Sequence, residues 1–505
     1  MSHKVLVSVS KKSSKGSTLV VFVSKSTGKN SLSHPKLSKD IADILKKAQS
    51  DEIFTGGKKE TLFFRGANVD GFDHLLLVGL GDSKGVTGDA LRCAAAITLG
   101  KIKAEKVSQF EVLAASVTHG QKDSAEAVQA FAEGLLLSAY EYDDLKSKDS
   151  DKKSKKPSEI KANLGFDQAP SAAQKKALER AEIISECQNF GRRLGDAPGN
   201  YMTPTMLANE AVKAAKGTKL KVTVWDKARI KKERLNGLYF VSKGSAEDPR
   251  FIILEYKGNP SSKKHVAFVG KGLTFDCGGI SIKPSAGMEE MKYDMCGGAN
   301  VIATLLAIAK LGLKINVTGY VPSTENLAGS AANKPGDVYV ARNGKSVEIF
   351  NTDAEGRLIL SDSLVYACEK KPAAIFDIAT LTGAILISLG NHYTGVFTRD
   401  QKLMKTVQDS ADKAGELVWN MPLDDFHVED MKGNHADLCN ISGNRLAGSS
   451  TAAAFLEQFV DKEIPWAHFD IAGTGWNVNN RFPYHPKKGA SGAMIRTFIE
   501  LAQKV

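Results

Sequence analysis

The 505-residue sequence predicts an α/β protein of two domains, and three observations support this prediction. The length exceeds what one hydrophobic core usually holds together, so two domains of unequal size are expected. Short apolar runs alternate with longer stretches in which apolar residues recur every three or four positions. The content of 42% hydrophobic and 25% charged residues is ordinary for a folded globular protein. Strands that alternate with helices indicate a mostly parallel sheet, covered by helices on both faces.

The first domain is predicted over residues 1–165. Its apolar runs and helical periodicities indicate strands STLVVFVS (17–24), TLFFRG (61–66) and HLLLVGLG (74–81), and helices over 88–103 and 124–140. The VGLGDSKG turn has the spacing GxGxxxG and no helix follows it at once, so we interpret it as an ordinary strand-to-loop turn.

A linker helix is predicted within residues 166–195, because apolar residues in SAAQKKALERAEIISECQNFGRR recur at three and four. The preceding segment KSKDSDKKSKK (146–156) carries six lysines and two aspartates, and so supplies +4 of the net charge of +11. Its composition is typical of a solvated surface loop. A basic protein also attracts nucleic acid, so DNA binding through this segment stays open as an alternative.

The second domain is predicted over residues 196–505, where strands and helices alternate again. The predicted strands are KLKVTVWD, FIILEYKG, HVAFVGKGLTFD, KINVTGYVPST, SVEIFNTDA, AAIFDIATLTG and WAHFDIAG, and the helices lie near 296–311, 356–370, 402–414, 450–461 and 491–503. Ligands of such sheets bind beyond the carboxyl ends of the strands. Polar residues that follow apolar strands are therefore the candidate site residues.

A cytoplasmic protein without membrane association is expected. No stretch approaches the roughly 18 apolar residues that span a bilayer, and the sequence begins without the features of a signal peptide. The six cysteines are scattered without paired spacing, which favours free thiols in a reducing compartment.

Three strand ends are rich in ionisable residues. They are VGKGLTFDCGGISIKPSAG with Lys271, Asp276 and Lys283, MEEMKYDMCGGAN with Asp294, and SVEIFNTDAEGRL with Asp353, Glu355 and Arg357. In an extended chain alternate residues share a face, so the third segment would continue its core-facing row through its acidic residues.

Buried carboxylates without partners are costly, so a cation is expected against them. Two divalent cations would balance four converging carboxylates, and paired metals activate water in hydrolysis. None of the histidines forms an HExxH motif, which disfavours a histidine-based zinc site. Two alternatives remain open on spacing alone. Asp276 and Asp294 could cap helices or turns, and Asp353 and Glu355 could form a solvated edge paired with Lys283 and Arg357.

NTDAEGRL (351–358) resembles the signature of the leucyl aminopeptidase family, the M17 metallopeptidases, and VGKGLTFDCGGISIKPS and MKYDMCGGA resemble its other two active-site segments. The resemblance extends from about Leu194 to the end and is weak in the first domain. It implies a macro-like first domain and a second domain with the zinc-exopeptidase fold. It also implies release of N-terminal residues, preferably leucine or similar apolar ones, from peptides.

The resemblance further implies a role for each motif residue. Two divalent ions, Mn²⁺ or Zn²⁺, would be held by Lys271, Asp276, Asp294, Asp353 and Glu355, with Asp276 and Glu355 bridging. Lys283 would stabilise the anionic intermediate, and Arg357 would hold a bicarbonate ion that serves as general base. The first side chain of the substrate would lie among Met291, Asn351, Ala354, Thr380 and Gly383.

Relatives of this family form hexamers of two trimers, and the resemblance implies the same homohexamer here. Two other functions stay open as alternatives: DNA binding, and a two-metal hydrolase acting on phosphate esters.

Overall fold

The computed structural model describes residues 4–13, 15–26, 31–147, 159–444, 446–478 and 481–505. Most of the lysine-rich segment 146–156, from Lys148 onward, lies outside the described residues. The chain separates into two compact units, Met1–Glu186 with Asn479–Lys487, and Cys187–Val478 with Lys488–Val505. The division falls within one long helix. The limits proposed from the sequence, at residues 165 and 196, stay a prediction.

In its described residues, the first unit contains one sheet and four α-helices of its own. Its strands are β1 (Val5–Lys11), β2 (Gly16–Lys25), β3 (Leu32–Ser33), β4 (Thr61–Phe64), β5 (Phe72–Asp82), β6 (Gln109–Leu113) and β7 (Ile160–Phe166). Its helices are α1 (Lys39–Ser50), α2 (Gly88–Ala104), α3 (Ala114–Thr118) and α4 (Ser124–Ser138). The strands lie in the order β1-β7-β6-β2-β5-β4, and β3 pairs with β2. Strands β3 and β4 pair in antiparallel order, and the pairings among β1, β7, β6, β2 and β5 are parallel.

The long helix α5 (Ala172–Asp196) contributes to both units. The helices that follow are α6 (Pro204–Ala215), α7 (Lys227–Lys232), α8 (Asn236–Ser242), α9 (Cys296–Lys310), α10 (Gly356–Cys368), α11 (Gly383–Leu389), α12 (Gln401–Ala414), α13 (Asp425–Glu429), α14 (Gly448–Glu457) and α15 (Ile495–Leu501). The strands of the second unit are β8 (Leu220–Trp225), β9 (Arg250–Lys257), β10 (Val266–Gly270), β11 (Gly272–Asp276), β12 (Asn316–Asn326), β13 (Val338–Val340), β14 (Ser346–Glu348), β15 (Ala374–Ala379), β16 (Thr394–Phe397), β17 (Val418–Asn420), β18 (Leu438–Cys439) and β19 (Trp466–Asp470). Short 3₁₀ helices span Ser83–Gly85 and Met288–Met295.

The main sheet of the second unit has the strand order β17-β16-β19-β15-β10-β12-β9-β8, with β11 paired to β12. The central strands β19, β15, β10 and β12 are parallel to one another. Strands β9 and β8 extend one side in antiparallel order, and β16 is antiparallel to β19. A second, three-stranded sheet has the order β13-β14-β18. The predicted fold class, a mixed and mostly parallel α/β protein of two domains, is confirmed.

The predicted strand SVEIFNTDA is shorter than expected. Strand β14 ends at Glu348, and Glu355 already has helical backbone angles of φ −81° and ψ −32° before α10 begins. The prediction that an extended strand carries Asp353, Glu355 and Arg357 on one face is therefore wrong. These residues converge through a turn and a helix start instead of through an extended strand.

Helix α9 explains how the sheet is covered near its centre. All of its residues from Cys296 to Ala309 are buried, so it packs on every side, as expected of an apolar helix inside an α/β domain. In the described part of the chain, no helix combines the length and the apolar character needed to cross a membrane.

Candidate metal centre

The candidate residues lie at the carboxyl ends of the central parallel strands. Lys271 separates β10 from β11, Asp276 is the last residue of β11, and Thr380 directly follows β15. This is the edge at which open α/β sheets bind ligands.

Two glycines allow the start of α9 to approach this edge. A Cβ atom at Gly270 would lie 2.5 Å from the carbonyl oxygen of Gly297, and one at Gly297 would lie 2.2 Å from that of Ile378. Neither position accepts a larger residue without backbone movement. The close approach lets the Gly298 N–H donate to the Lys271 carbonyl at 2.7 Å, next to the 3₁₀ helix that carries Asp294.

Three carboxylates meet in the centre of the site. Asp276, Asp353 and Glu355 each have an oxygen within 4.8 Å of the others. Asp276 and Glu355 are 2% exposed, so water screens their mutual repulsion poorly. The structure thus brings together residues that are 79 positions apart in the chain, from Asp276 to Glu355.

Two lysines connect these carboxylates, and Lys271 also links them to a fourth carboxylate, that of Asp294. Lys271 Nζ lies 2.7 Å from Asp294 Oδ2 and 2.9 Å from Glu355 Oε1. Lys283 Nζ lies 2.8 Å from Asp276 Oδ2 and 2.5 Å from Asp353 Oδ1. Four carboxylates therefore face two ammonium groups, which leaves the centre short of positive charge.

The pKa shifts reflect this charge imbalance. Burial, and then the charge of Asp276, raise the pKa of Glu355 to about 8. Burial also raises the pKa of Asp294 and of Asp353. Burial alone would lower the pKa of Lys271, but Asp294 and Glu355 outweigh it and hold that pKa above its usual range.

The donor set fits divalent cations. Glu355 Oε2 is buried and has no hydrogen-bond partner among the described residues, which is costly for a carboxylate oxygen. Carboxylate oxygens with one amine suit manganese, zinc or magnesium better than soft metals. Added positive charge would also relieve the repulsion that raises the pKa of Glu355.

Asn326 is a positioning residue that the sequence analysis missed. Its side-chain amide donates to Asp276 Oδ1 at 2.9 Å and to the Thr352 carbonyl at 3.0 Å, and it is 1% exposed. The Gly278 N–H also donates to Asp276 Oδ1, at 2.8 Å. Asn326 is the last residue of β12 and lies two residues beyond the predicted strand KINVTGYVPST. A search of the polar residues that follow this strand would therefore have found it.

Arg357 lies in the first turn of α10 and is 6% exposed. Its Nη1 donates to the Asn440 carbonyl at 2.8 Å, while its Nε has no hydrogen-bond partner among the described residues. Burial lowers its pKa to about 10, although Glu355 opposes this shift. The side chain is still a cation at neutral pH, beside the positive end of a helix, and together they suit an anion.

Two of the five predicted substrate-contact residues, Thr380 and Asn351, bond to acidic residues of this centre. The Thr380 hydroxyl donates to Asp294 Oδ1 at 2.7 Å, and Asn351 Oδ1 accepts the Asp353 N–H at 2.8 Å. Ala354 is half-buried beside Glu355, Met291 is half-buried in the 3₁₀ helix, and Gly383 is exposed at the start of α11. Thr380 and Asn351 thus also hold the carboxylates in place. The contact of these five residues with a substrate stays a prediction.

Sequence comparison relates both parts of the chain to one family. Residues 189–499 match the cytosol aminopeptidase family, catalytic domain, and residues 20–149 match the N-terminal domain of that family. A probable cytosol aminopeptidase of Bdellovibrio bacteriovorus is 56% identical over 487 residues, which are 96% of each chain. One from Burkholderia mallei is 42% identical over 436 residues, 86% of this chain and 84% of that protein.

Solved structures show the same similarity. A mutant of tomato leucine aminopeptidase superposes with a TM-score of 0.86 at 30% identity, and the match covers 100% of this chain and 97% of that one. The bottromycin maturation enzyme BotP in complex with Mn superposes with a TM-score of 0.83 at 30% identity, covering 96% and 99% of the two chains.

Proposed function

Since this chain belongs to the cytosol aminopeptidase family, and so is a metal-dependent hydrolase of peptide N-termini, we propose that it uses two metal ions and prefers leucine or similar apolar first residues. The observation that carries the proposal is the meeting of Asp276, Asp353 and Glu355 within 4.8 Å, joined to Asp294 by Lys271. Four carboxylates in one buried place match the charge of two divalent cations.

Lys271, Asp276, Asp294, Asp353 and Glu355 are the proposed ligands. Two cations, Mn²⁺ or Zn²⁺, would supply Lewis-acid polarisation of the scissile carbonyl and a water of lowered pKa. We assign the bridging positions to Asp276 and Glu355. Lys271 would bind as a neutral amine, because desolvation and neighbouring dications both disfavour its ammonium form.

Lys283 and Arg357 are the proposed catalytic residues. Lys283 Nζ contacts Asp276 and Asp353, and this position beside the proposed ligands supports a role in stabilising the negative charge that develops on the substrate carbonyl oxygen. Arg357, with the first backbone N–H groups of α10, would hold a bicarbonate ion that accepts the proton of the attacking water.

The proposal includes a free substrate amine. An amino group bound at the metal centre would fix the first peptide bond next to Lys283, so an acylated N-terminus could not be positioned in the same way. Met291, Asn351, Ala354, Thr380 and Gly383 would then surround the first side chain. Their uncharged character suits leucine or methionine.

Hydrolysis of leucine p-nitroanilide tests the proposal most directly. The purified protein loaded with Mn²⁺ or Zn²⁺ is expected to release p-nitroaniline from this substrate and to leave its N-acetyl derivative intact. Thorough chelation should abolish the reaction, and added metal should restore it. Equal cleavage of the free and acetylated substrates would contradict amine binding at the metal centre.

We further propose that the chain forms a homohexamer in the cytoplasm. Sedimentation analysis should give six times the mass of one chain.

The net charge of +11 favours a second candidate function, binding of duplex DNA. A steep salt dependence of binding, flattened by deletion of residues 146–156, would support it.

A further inference from the structure

The turn that follows β15 is fastened by one buried carboxylate, Asp470, at the end of β19. Asp470 Oδ1 accepts the Leu381 N–H at 3.1 Å, and Oδ2 accepts the Thr382 hydroxyl at 2.6 Å. Asp470 is 1% exposed. These two bonds fix the backbone between Thr380 and Gly383, two of the residues assigned above to the pocket for the first side chain.

Asp470 fastens a second turn as well, the one that leaves β19. Its Oδ1 also accepts the Ala472 N–H at 3.1 Å. That turn packs against Thr380, because a Cβ atom at Gly475 would lie 3.2 Å from Thr380 Cγ2. One carboxylate thus sets the spacing between the two turns on either side of Thr380.

The Thr382 hydroxyl has a defined role in this arrangement. It has one proton, and at 2.6 Å from a carboxylate oxygen that proton goes to Asp470. The oxygen is then an acceptor for the Ile385 N–H at 3.2 Å, which caps α11, and for the Ser449 hydroxyl at 2.8 Å. Thr382 therefore anchors the start of α11 to β19 and to α14.

The anchored turn leads directly to the metal centre. The carbonyl oxygen of Thr380 accepts from Lys271 Nζ at 3.1 Å, and its hydroxyl donates to Asp294. A shift of the turn would move the neighbouring pocket wall first, since Thr380 itself is also held by these two contacts.

We propose that Asp470 and Thr382 are positioning residues that set the width of the pocket for the first side chain, and so determine how strongly large apolar residues are preferred over small ones. The inference rests on the proposed function above. Neither residue is among the proposed ligands, and each acts through the backbone that it holds. Loosening of the turn should therefore change substrate preference more than the chemical step.

Removal of one hydroxyl tests this. Thr382→Val keeps the shape of the side chain but loses the bond to Asp470 and the contacts with the Ile385 N–H and the Ser449 hydroxyl. The matched control is Thr98→Val, which removes another buried hydroxyl, in the first unit, whose one bond within the described part of the chain goes to the Ala94 carbonyl at 2.8 Å. The readout is kcat/KM of the Mn²⁺-loaded enzyme for leucine p-nitroanilide divided by that for alanine p-nitroanilide.

We expect Thr382→Val to lower this ratio at least about tenfold, because the three buried hydrogen bonds that hold the turn are lost together, mainly by raising KM for the leucine substrate. Thr382→Ser should recover the lost preference, and Thr98→Val should keep the ratio of the parent enzyme. Asp470→Asn, which alters the same bond from the other side, should lower the ratio in the same direction and serves as the second variant if Thr382→Val unfolds.

Three outcomes would overturn the inference. One is a ratio in Thr382→Val equal to that in Thr98→Val. Another is an equal fall of kcat on both substrates, which would place the effect in the chemical step. The third is an unmutated enzyme that cleaves neither substrate, which would overturn the proposed function together with the inference. In an unmutated enzyme that is active, either of the first two outcomes overturns the inference alone.

Discussion

Lys271 Nζ lies 2.9 Å from Glu355 Oε1, and both side chains are almost completely buried. The contact depends on Gly356, where a Cβ atom would lie 2.7 Å from the same nitrogen. The Lys271 ammonium group therefore pairs with a carboxylate oxygen that we propose as a metal ligand. Metal and protons must compete for this centre, and the pH dependence of both metal binding and stability follows from that competition.

Manganese affinity is expected to fall as the pH falls below about 8. Burial and then Asp276 raise the pKa of Glu355 to about 8 in the metal-free protein, so metal binding must displace its proton. Lys271 must also lose a proton to bind as the proposed neutral amine, and each proton displaced weakens binding about tenfold for each pH unit. Titration calorimetry between pH 6 and 8, in buffers of different ionisation enthalpy, measures both the affinity and the protons released. An affinity that does not change over this range would contradict the prediction.

Metal-free protein is expected to lose stability as the pH rises from about 4.5 to 8. The folded-state pKa of Glu355 is raised from 4.5 to about 8, so between these values the folded state binds more protons than the unfolded state. The free energy of unfolding then decreases with increasing pH. Thermal unfolding in the presence of a chelator should show a steeper decline in the parent protein than in Glu355→Gln.

The control for this experiment is Glu457→Gln, since Glu457 forms its ion pair with Arg399 at 2.6 Å, outside the centre. It should follow the pH dependence of the parent protein. A Glu355→Gln curve parallel to both would show that Glu355 is not protonated in this range.

Asp276→Asn is expected to lose metal and activity together. The substitution keeps the shape of the side chain but removes the charge that is shared between the proposed ions. Loss of a residue that only supports a ligand typically costs about 10- to 100-fold in metal affinity or activity, so loss of a ligand should cost at least about 100-fold. Metal content after gel filtration and kcat with leucine p-nitroanilide are the two measurements. A variant that keeps both would remove Asp276 from the ligand set.

Local sequence patterns were sufficient to predict much of the catalytic unit. The amphipathic stretch at 402–414 becomes α12 (Gln401–Ala414), and the apolar run WAHFDIAG contains β19 (Trp466–Asp470). Helix α12 buries one face at the helical period, whereas β19 is buried at all five residues, as expected of a central strand.

The residues that hold the site were harder to predict. The Asn351 side chain accepts the Asp353 N–H, so a turn replaces the extended chain that alternation suggested. Asn440 accepts from Arg357 across 83 positions, and Asp470 accepts from Leu381 across 89. Such contacts arise from the order of strands in the sheet, which periodicity does not encode.

Lys283→Met is expected to reduce kcat without loss of metal. Burial alone would lower the pKa of Lys283, but in the metal-free protein Asp276, Glu355 and Asp353 outweigh it and hold that pKa above its usual range. A preorganised donor aimed at developing negative charge contributes about 100- to 1,000-fold to kcat. We therefore expect a fall of that size in Lys283→Met, with nearly unchanged KM and full metal content, because removal of a cation beside Asp276 does not weaken its bond to a metal.

Two further variants make this result specific. Lys283→Arg keeps the charge and should retain more activity than Lys283→Met, since the guanidinium group still donates toward the same place. Lys334→Met removes an exposed lysine that pairs with Asp337 at 3.2 Å and should keep the parent kcat. If Lys283→Met lost metal in proportion to activity, the role of Lys283 would be structural, because the carboxylates could not hold the ions without this side chain. An unchanged kcat would mean that the charge developing on the substrate oxygen is balanced by the metals and by Arg357 alone.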